Sequence, residues 1–483
     1  MTVAASSTRI LAEFVATTRW TDIPRAVRHE ARRSLVNYFA VALAGAVDPT
    51  IAKALAVYGR FDAGGDAGVI GHAGRRDILN AAALNAMSAN VFDFDDTHLP
   101  TIIHPTAPVA AALFALAQAG PGALCGHARQ VLPITGERFL LAFVLGVEVA
   151  CRLGNAVPGH YQRGWHITST CGVVGAAAGT ARALGLDALR TAWAFGNAVV
   201  QAGGLVEALG TMSKSISVGN AARNGLLSAL LAAEDFSGPA QPLEGERGFL
   251  RVTSEHPDAA ALTRGLGEDW ALLSNTYKPY PCGVVLNPVI EACLALSGEL
   301  GELHVALDDI DAIELVGHPL LRERTDRPDV QTGRAAQVSA QHAVAVALTR
   351  GRAGLAEFND ACVAEPALRA LGRRLRFVDD PAYPVEAARI TLVLRSGATV
   401  SRQIDAARGS LTVPLSDADL EAKLRALAAY GNASCDTDAL LRTLWTFDAA
   451  PDAALPMRMS GVAARAAPAD PLPAVRSDPY SNT

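Results

Sequence analysis

Residues 91–106 read VFDFDDTHLPTIIHPT: three carboxylates in four positions (Asp93, Asp95, Asp96), then Thr97 and His98, and a second histidine, His104, ahead of Pro105. On either side lie small apolar runs, ILNAAALNAMSAN at 78–90 and APVAAALFALAQA at 107–119, of the kind that lets helices pack closely. Unpaired charge is costly to bury, so a core helix gains nothing from such a polar run. Between two tightly packed helical segments, a dense polar cluster reads as the floor of a cleft. The stretch therefore predicts a helical domain and marks where its site lies.

At 483 residues the chain is long enough for two or three domains. Half the residues are apolar and 19% charged, as in a well-buried globular protein; 42 Lys and Arg against 48 Asp and Glu leave a net charge of −6. That balance offers no footprint for nucleic acid. The apolar runs FAVALAGAV and FLLAFVLGVEVA are too short to span a membrane and lead into charged or turn residues. The N-terminus lacks the basic start, apolar block and cleavage site of a secretory signal. Seven scattered cysteines without a C-x-x-C pair suggest neither a disulfide framework nor zinc. A cytoplasmic protein without nucleic-acid or membrane partners is expected.

Helical periodicity dominates up to about residue 235, with segments at 6–20, 23–45, 105–120, 136–155, 170–185 and 187–209. Glu148 and Arg152 are spaced for an intrahelical ion pair. Near residue 265 the character changes. DIDAIELVG (309–317) and RITLVLRSG (389–397) alternate as half-buried strands do, with helical segments at 336–350, 354–360 and 364–370 between them. SDADLEAKLRALAAY (416–430) is a helix capped by Ser416 with Asp419 three residues on, and 437–448 forms one more. The expected fold is mostly α: a large all-helical domain (1–265) with a smaller α+β lid domain (266–405). C-terminal helices (406–450) return to the large domain, and a flexible tail (451–483) follows.

Three further segments carry chemistry. GHYQRGWHITSTCG (159–172) sets His160, Arg163 and His166 in a glycine-bounded loop, with hydroxyls entering the next helix, a setting that favours anions. TMSKSISVGNAARN (211–224) places Lys214 alone among small residues, suited to pointing inward. YKPYPCGVVLNP (277–288) contributes Lys278, Tyr280 and Cys282 on a rigid, proline-rich segment, where Cys282 lacks a partner constellation and reads as a packed thiol. With Asp93, Asp95, His98 and His104, these cations suit an anionic polycarboxylate, and perturbed histidines and lysines could move protons on and off carbon. His98 and His104 lack a standard metal spacing, nearby lysines oppose a cation, and no dinucleotide fingerprint is present. Neither metal nor organic cofactor is expected.

DFDDTH followed by HP, then GWHITSTCGVVGAAA, then KSISVGNAARNGLLSALLAAEDFSGPAQPLEGERGF, then YKPYPCGVVLNPVIEA succeed one another within about residues 8–445. In that order they resemble the signatures of the MmgE/PrpD family. The resemblance implies a large helical domain closed by a smaller α+β domain, a homodimer, and chemistry without metal or organic cofactor. Asp95, Thr97 and His104 match its first active-site segment, with Asp93 just before it. His166 matches the histidine after Gly-Trp, Lys214 the lysine ahead of a helix start at Gly219 and Asn220, and Lys278 the lysine before Pro-Tyr. The catalytic set is thus His104, His166, Asp95, Lys214 and Lys278, with Asp93, Thr97, Arg163 and Tyr280 about the substrate. Two stretches depart from the pattern. Lys214-Ser215-Ile216-Ser217 stands where the family has Lys-Pro-Leu-His, and Asn287 where a histidine is frequent. Gly283, at the position of a histidine in the family's decarboxylase, has no side chain, which argues against decarboxylation.

A proton beside a carboxylate becomes acidic only if fixed donors or cations meet the developing charge. Lys214, Lys278 and Arg163 could supply that charge, with His104 or His166 as base. The expected function is a cofactor-independent, dehydratase-type lyase on a small di- or tricarboxylic acid. Alternatives are an epimerase of a dicarboxylate such as iminodisuccinate, or a non-catalytic carboxylate-binding protein.

Overall fold

The computed structural model describes residues 6–119, 124 and 133–461. Its N-terminal domain is built from helices Ser7–Thr17, Arg25–Gly45, Ile78–Asn90, Thr106–Ala117, Gly136–Asn155, Ile167–Leu184, Ala188–Val199 and Ser213–Ala233. Side chains of Ser6, Asp77, Thr135 and Asp187 accept first-turn N–H groups and fix where four of these start. The Thr106–Ala117 helix is buried along its whole length, among Ile78–Asn90, Gly136–Asn155, Ile167–Leu184 and Ser213–Ala233. Alanine and glycine make that possible. At Gly225 a Cβ would lie 2.5 Å from Ala176 Cβ and 2.6 Å from the Val173 carbonyl oxygen on the facing helix.

The first domain is not wholly helical. Ala67–Gly68 pairs with Arg75–Arg76, and Asp96–His98 pairs antiparallel with Asn275–Tyr277, in the register Asp96 to Tyr277. This second pairing also moves the expected break at 265. Trp270, Leu272 and Tyr277 belong to the first apolar core, whereas the second begins at Cys282. The helices Asp417–Tyr430 and Thr437–Trp445 pack on Arg25–Gly45 and join the first core. Ser416 and Asp419 form the reciprocal cap read from the sequence, and Glu148 and Arg152 form their ion pair at 2.6 Å.

The second domain carries a four-stranded sheet in the order Leu375–Asp379, Ile310–Gly317, Ala388–Leu394, Thr399–Ile404, with only the first pair parallel. Ala388, Ile390, Leu392 and Leu394 alternate onto the buried face, against helix Asn287–Glu302, which in turn packs on Ala340–Arg350. The two strands not read from the sequence, LRFVD and TVSRQI, flank the sheet and bury little, so their apolar alternation is weak. Among the described residues, Val284–Glu302 alone is a single helical run long and apolar enough to cross a membrane. Its Val289, Ile290, Cys293, Leu296 and Leu300 fill the second core.

Several expected limits shift for local reasons. Residues 354–360 form a turn held by Glu357, whose carboxylate accepts from Gly354 N and Arg352, and the next helix starts only beyond Asn359. The expected helix 187–209 ends at Val199, ahead of Gly203 and the left-handed Gly204. The helix carrying Lys214 begins at Ser213, ahead of Gly219. Nor is the chain a loose tail from 451: Leu455–Ser460 is a helix with Met457 and Ser460 buried, and Gly71 N donates to the Ser460 carbonyl at 3.0 Å. Residues 462–483 of that expected tail lie outside the described residues.

Replacing a helical glycine by alanine ordinarily gains about 0.5–1 kcal/mol. At Gly225 the added methyl meets backbone and a Cβ that cannot swing away, and overpacking of this kind costs about 1–3 kcal/mol. Gly225→Ala should therefore lower the urea midpoint; an unchanged or raised midpoint would show that the facing helices can part.

Candidate functional site

The pairing of Asp96–His98 with Asn275–Tyr277 sets the segment that begins at Asp93 beside the residue that follows the second strand, Lys278. Lys278 Nζ donates to Asp93 Oδ2 at 2.7 Å and to the Asp93 carbonyl at 2.6 Å. Lys214, from the first turn of its helix, donates to the other oxygen, Oδ1. Asp93 is thus the shared counter-ion of both lysines. Burial alone would raise its pKa, but Lys214, Lys278 and His104 hold it well below the usual carboxylate range. Lys278 is buried too, and against that burial Asp93 and Asp95 keep its ammonium above its ordinary value. An ammonium has three donors. Lys278 spends two on Asp93, whereas Lys214 spends one and has no other partner among the described residues.

His104 lies across from this pair. Its Nδ1 is 2.7 Å from the Asp96 carbonyl oxygen, an atom that can only accept, so the ring proton is on Nδ1. Thr97 Oγ1 at 3.3 Å and Asp95 Oδ1 at 3.5 Å flank the same nitrogen. Nε2 is left with its lone pair, 3.7 Å from Asp93 Oδ1. The His104 backbone N donates to Thr168 Oγ1 at 3.1 Å, which ties it to the helix that begins after His166. Burial lowers the pKa of His104, with Asp95 opposing and Lys278 reinforcing the shift. His166 is the N-cap residue of Ile167–Leu184, and burial followed by Lys214 pushes its pKa down to about 3. Its Nδ1 is 2.9 Å from Ser217 Oγ. Both imidazoles are therefore neutral at physiological pH.

The other expected residues divide. Asp95 is buried and accepts from Asn90 Nδ2 at 2.7 Å, and Thr97 lies on the short strand. Arg163 is not in the cluster: it sits in an exposed loop, paired with Glu255. Its loop is held by His160, which bonds Thr170 Oγ1 at 2.7 Å, and Gln162 and Arg163 are exposed. Tyr280 packs against the second core, where burial and Glu291 raise the pKa of its hydroxyl. His98 bonds Thr101 Oγ1 at 2.7 Å and serves the turn. Cys282 is a buried thiol pushed up to about 12 by burial. Asp93, Asp95 and His104 offer ligand atoms within 4.8 Å of one another, a set that could hold a metal. However, both oxygens of Asp93 already face lysine ammoniums, so a divalent cation would enter against two like charges.

One participant escaped the sequence altogether. Lys423, on the C-terminal helix Asp417–Tyr430, is buried and donates to Asn37 Oδ1 (2.8 Å), the Phe94 carbonyl (2.9 Å) and the Lys278 carbonyl (2.8 Å). It also lies over the Phe94 ring, 3.9 Å from its centroid. It pins both strands of chain that carry the cluster. Burial pushes its amine well below the usual range despite Asp95 nearby. Within an amphipathic helix of ordinary composition, no local signal sets this lysine apart.

Behind the cluster, Asp96 accepts from Thr106 Oγ1 (2.6 Å) and Asn275 Nδ2 (2.7 Å), while its Oδ1 is buried without a hydrogen-bond partner. Burial, then Asp95, raises its pKa to about 7. Between the ordinary value of 3.8 and about 7, the folded protein keeps a proton on Asp96 that the unfolded chain has lost. Stability must therefore fall as pH rises through that window. Asp96→Asn, with no proton to titrate, should flatten the fall in urea midpoint between pH 5 and 8. An equal slope in wild type and variant would remove Asp96 as its cause.

The model of the MmgE/PrpD N-terminal domain matches residues 9–261, and that of the MmgE/PrpD C-terminal domain matches residues 280–446. Among curated proteins, the chain is 28% identical over 442 residues to the cis-aconitate decarboxylase-like protein oryM of Aspergillus oryzae, covering 87% of this chain and 90% of that one. It is 28% identical over 367 residues to the cis-aconitate decarboxylase of Mus musculus (72% of this chain, 71% of that one). With the cis-aconitate decarboxylase of Aspergillus terreus it shares 30% over 292 residues (58% of each). Matched in order over both of its domains, the chain belongs to the MmgE/PrpD family and is an enzyme of the lyase type.

Proposed function

We propose that the protein is a cofactor-independent lyase that eliminates water from a small di- or tricarboxylic acid by removing a proton alpha to a carboxylate. The observation that carries this reading is the pairing of two neutral imidazoles with two lysines around Asp93. Elimination needs a base in its resting state for the alpha proton and a proton donor for the departing hydroxyl. His104 is the base: Nε2 takes the alpha proton as the carbon–carbon double bond forms and the carbon–oxygen bond breaks. Lys214, with two unspent donors, binds a substrate carboxylate and protonates the departing hydroxyl. Asp93, against both His104 Nε2 and Lys214 Nζ, then lets the proton return from imidazole to amine. Lys278 supplies fixed positive charge for the enolate, whose stabilisation in a dry site is a large part of such catalysis.

Support for a carboxylate substrate also comes from the relatives, which are named cis-aconitate decarboxylases. NMR of wild type in heavy water with 2-methylcitrate, citrate, cis-aconitate and iminodisuccinate separates the outcomes. Elimination gives an alkene with label at the alpha carbon of the hydroxy acid. Epimerisation gives label without elimination, and decarboxylation gives loss of carbon dioxide; either of these as the sole activity would overturn the dehydratase reading. His104→Ala should lose nearly all exchange with affinity held within a few-fold. Lys214→Met and Lys278→Met should each lose at least roughly tenfold in kcat/KM, about 1.4 kcal/mol. Exchange at the wild-type rate in His104→Ala would sink the assignment of the base.

A homodimer is the assembly we infer. Its face is expected from the helices at 105–120 and 170–209; of these, Thr106–Ala117 and Ile167–Leu184 spend their apolar surface inside the domain. Exposed apolar side chains lie at the end of that stretch and just beyond it: Val200, Leu205, Leu209, Met212 and Ile216. That segment runs past Gly204 into Lys214, so a partner seated on it would also shield the site from water. Sedimentation at micromolar concentration should give about twice the 50.3 kDa chain mass, and Leu205→Glu should shift it to the monomer. A wild-type monomer would refute the assembly.

A further inference from the structure

Ser217 lies one turn beyond Lys214 on the same helix, and its hydroxyl stands between two groups: His166 Nδ1 at 2.9 Å and the Lys214 carbonyl oxygen at 2.8 Å. A hydroxyl has a single proton to give. The carbonyl can only accept. With the Ser217 proton on that carbonyl, the imidazole must donate in the other bond, which places hydrogen on Nδ1 and leaves the Nε2 lone pair free. Nothing else is bonded to the His166 ring among the described residues.

The backbone around the pair is equally constrained. His166 N donates to the Gly204 carbonyl at 3.0 Å, and Ser169 Oγ donates to the Gly203 carbonyl at 2.6 Å. Gly204 has φ +123°, and a Cβ there would fall 2.1 Å from Ser169 Oγ, 3.1 Å from Ser217 Cβ and 3.3 Å from His166 Cβ. A glycine, a serine and a helix start thus crowd the backbone of His166, and among the described residues Ser217 is the only side chain hydrogen-bonded to its ring.

We propose that Ser217 is a positioning residue that holds His166 in its Nδ1–H tautomer, so that Nε2 serves as the site's hydrogen-bond acceptor for the substrate hydroxyl, beside the base His104. In the lyase reading, on which this inference rests, that acceptor takes a hydrogen bond from the substrate hydroxyl in elimination. In the reverse direction it accepts a hydrogen bond from the attacking water, whose proton passes to the Lys214 amine. A ring bonded the other way, with hydrogen on Nε2, could do neither.

Two-bond proton–nitrogen NMR on the full-length enzyme labelled with nitrogen-15 at histidine reads the tautomer directly. The wild-type His166 signals, assigned by their loss in His166→Gln, should show a protonated Nδ1 and a bare Nε2. Ser217→Ala should populate both tautomers and lower kcat by about tenfold with KM held within a few-fold. That is less than the roughly 10²–10⁴ that a lost acid–base group costs. Ser217→Thr, which keeps the hydroxyl, should restore both readouts. Hydrogen on Nε2 in wild type would overturn the proposal, even if the alanine variant fails to fold. So would an alanine variant with unchanged tautomer and kcat. If the tautomer is as stated but none of the carboxylates above exchanges or turns over, the lyase reading fails and the positioning of His166 stands.

Discussion

The carboxylate of Asp93 joins three separate parts of the chain. Lys214 comes from the start of one helix, Lys278 from the end of a short strand, and His104 from just ahead of another helix. Carrying two ammoniums into a buried site costs several kcal/mol each unless an anion meets them. Removing one partner from such a set typically costs about 3–5 kcal/mol, because a buried charge is left uncompensated. Asp93 is therefore as much a condition of folding at this place as a participant in chemistry. Its backbone reflects that demand: φ is +52°, a left-handed conformation that aspartate tolerates better than most residues. Ile102, at the far end of the same segment, has φ +56°, where a β-branched residue is a genuine outlier. Strain at both ends of a segment that carries Asp95, Thr97 and His98 fits a loop held in shape by its partners.

What the sequence made legible was chemistry concentrated in short stretches. Asp93, Asp95, Thr97 and His104 fall within twelve residues, and each of Lys214, Lys278 and His166 stands out against small or apolar neighbours. All seven converge in the fold. Arg163 shared those local signs, but its direction was set by His160 and Trp165, which stack within the loop and turn the arginine out to Glu255. Lys423 was invisible for the opposite reason. Its role lies in three carbonyl oxygens drawn from residues 37, 94 and 278, and no window of sequence contains that relation.

The fold shows the same division. Helices were legible wherever small apolar residues recur, and of the two central strands Ala388–Leu394 alternates onto the helix Asn287–Glu302. The flanking strands were not, since they bury little and so have no apolar alternation to announce them. The pairing of Asp96–His98 with Asn275–Tyr277 was equally silent: three residues have no period, and the two segments are far apart in the chain. Yet this pairing fixes the distance between Asp93 and Lys278, and with it the site.

It also determines how the second domain can act on the chemistry. That domain bonds the site from behind. Arg334 donates to the Val91 carbonyl at 3.0 Å and pairs with Asp48 at 3.1 Å, while Gln337 Nε2 donates to the Phe92 carbonyl at 2.6 Å. The Gln337 carbonyl in turn accepts from Gly283 N at 3.0 Å, five residues beyond Lys278. The short helix Gly333–Ala336 and the residues after it thus grip the chain immediately ahead of Asp93 and five residues after Lys278. Closure of one domain over another usually places the hinge away from the reacting groups. Here the connections reach Val91, Phe92 and Gly283, close in the chain to Asp93 and Lys278, so displacement of the small domain would pull on the chain on either side of that ion pair. With Lys278 held by two bonds to Asp93 and Lys214 by one, Lys278 is the more firmly fixed of the two ammoniums, and Lys214 keeps two donors free.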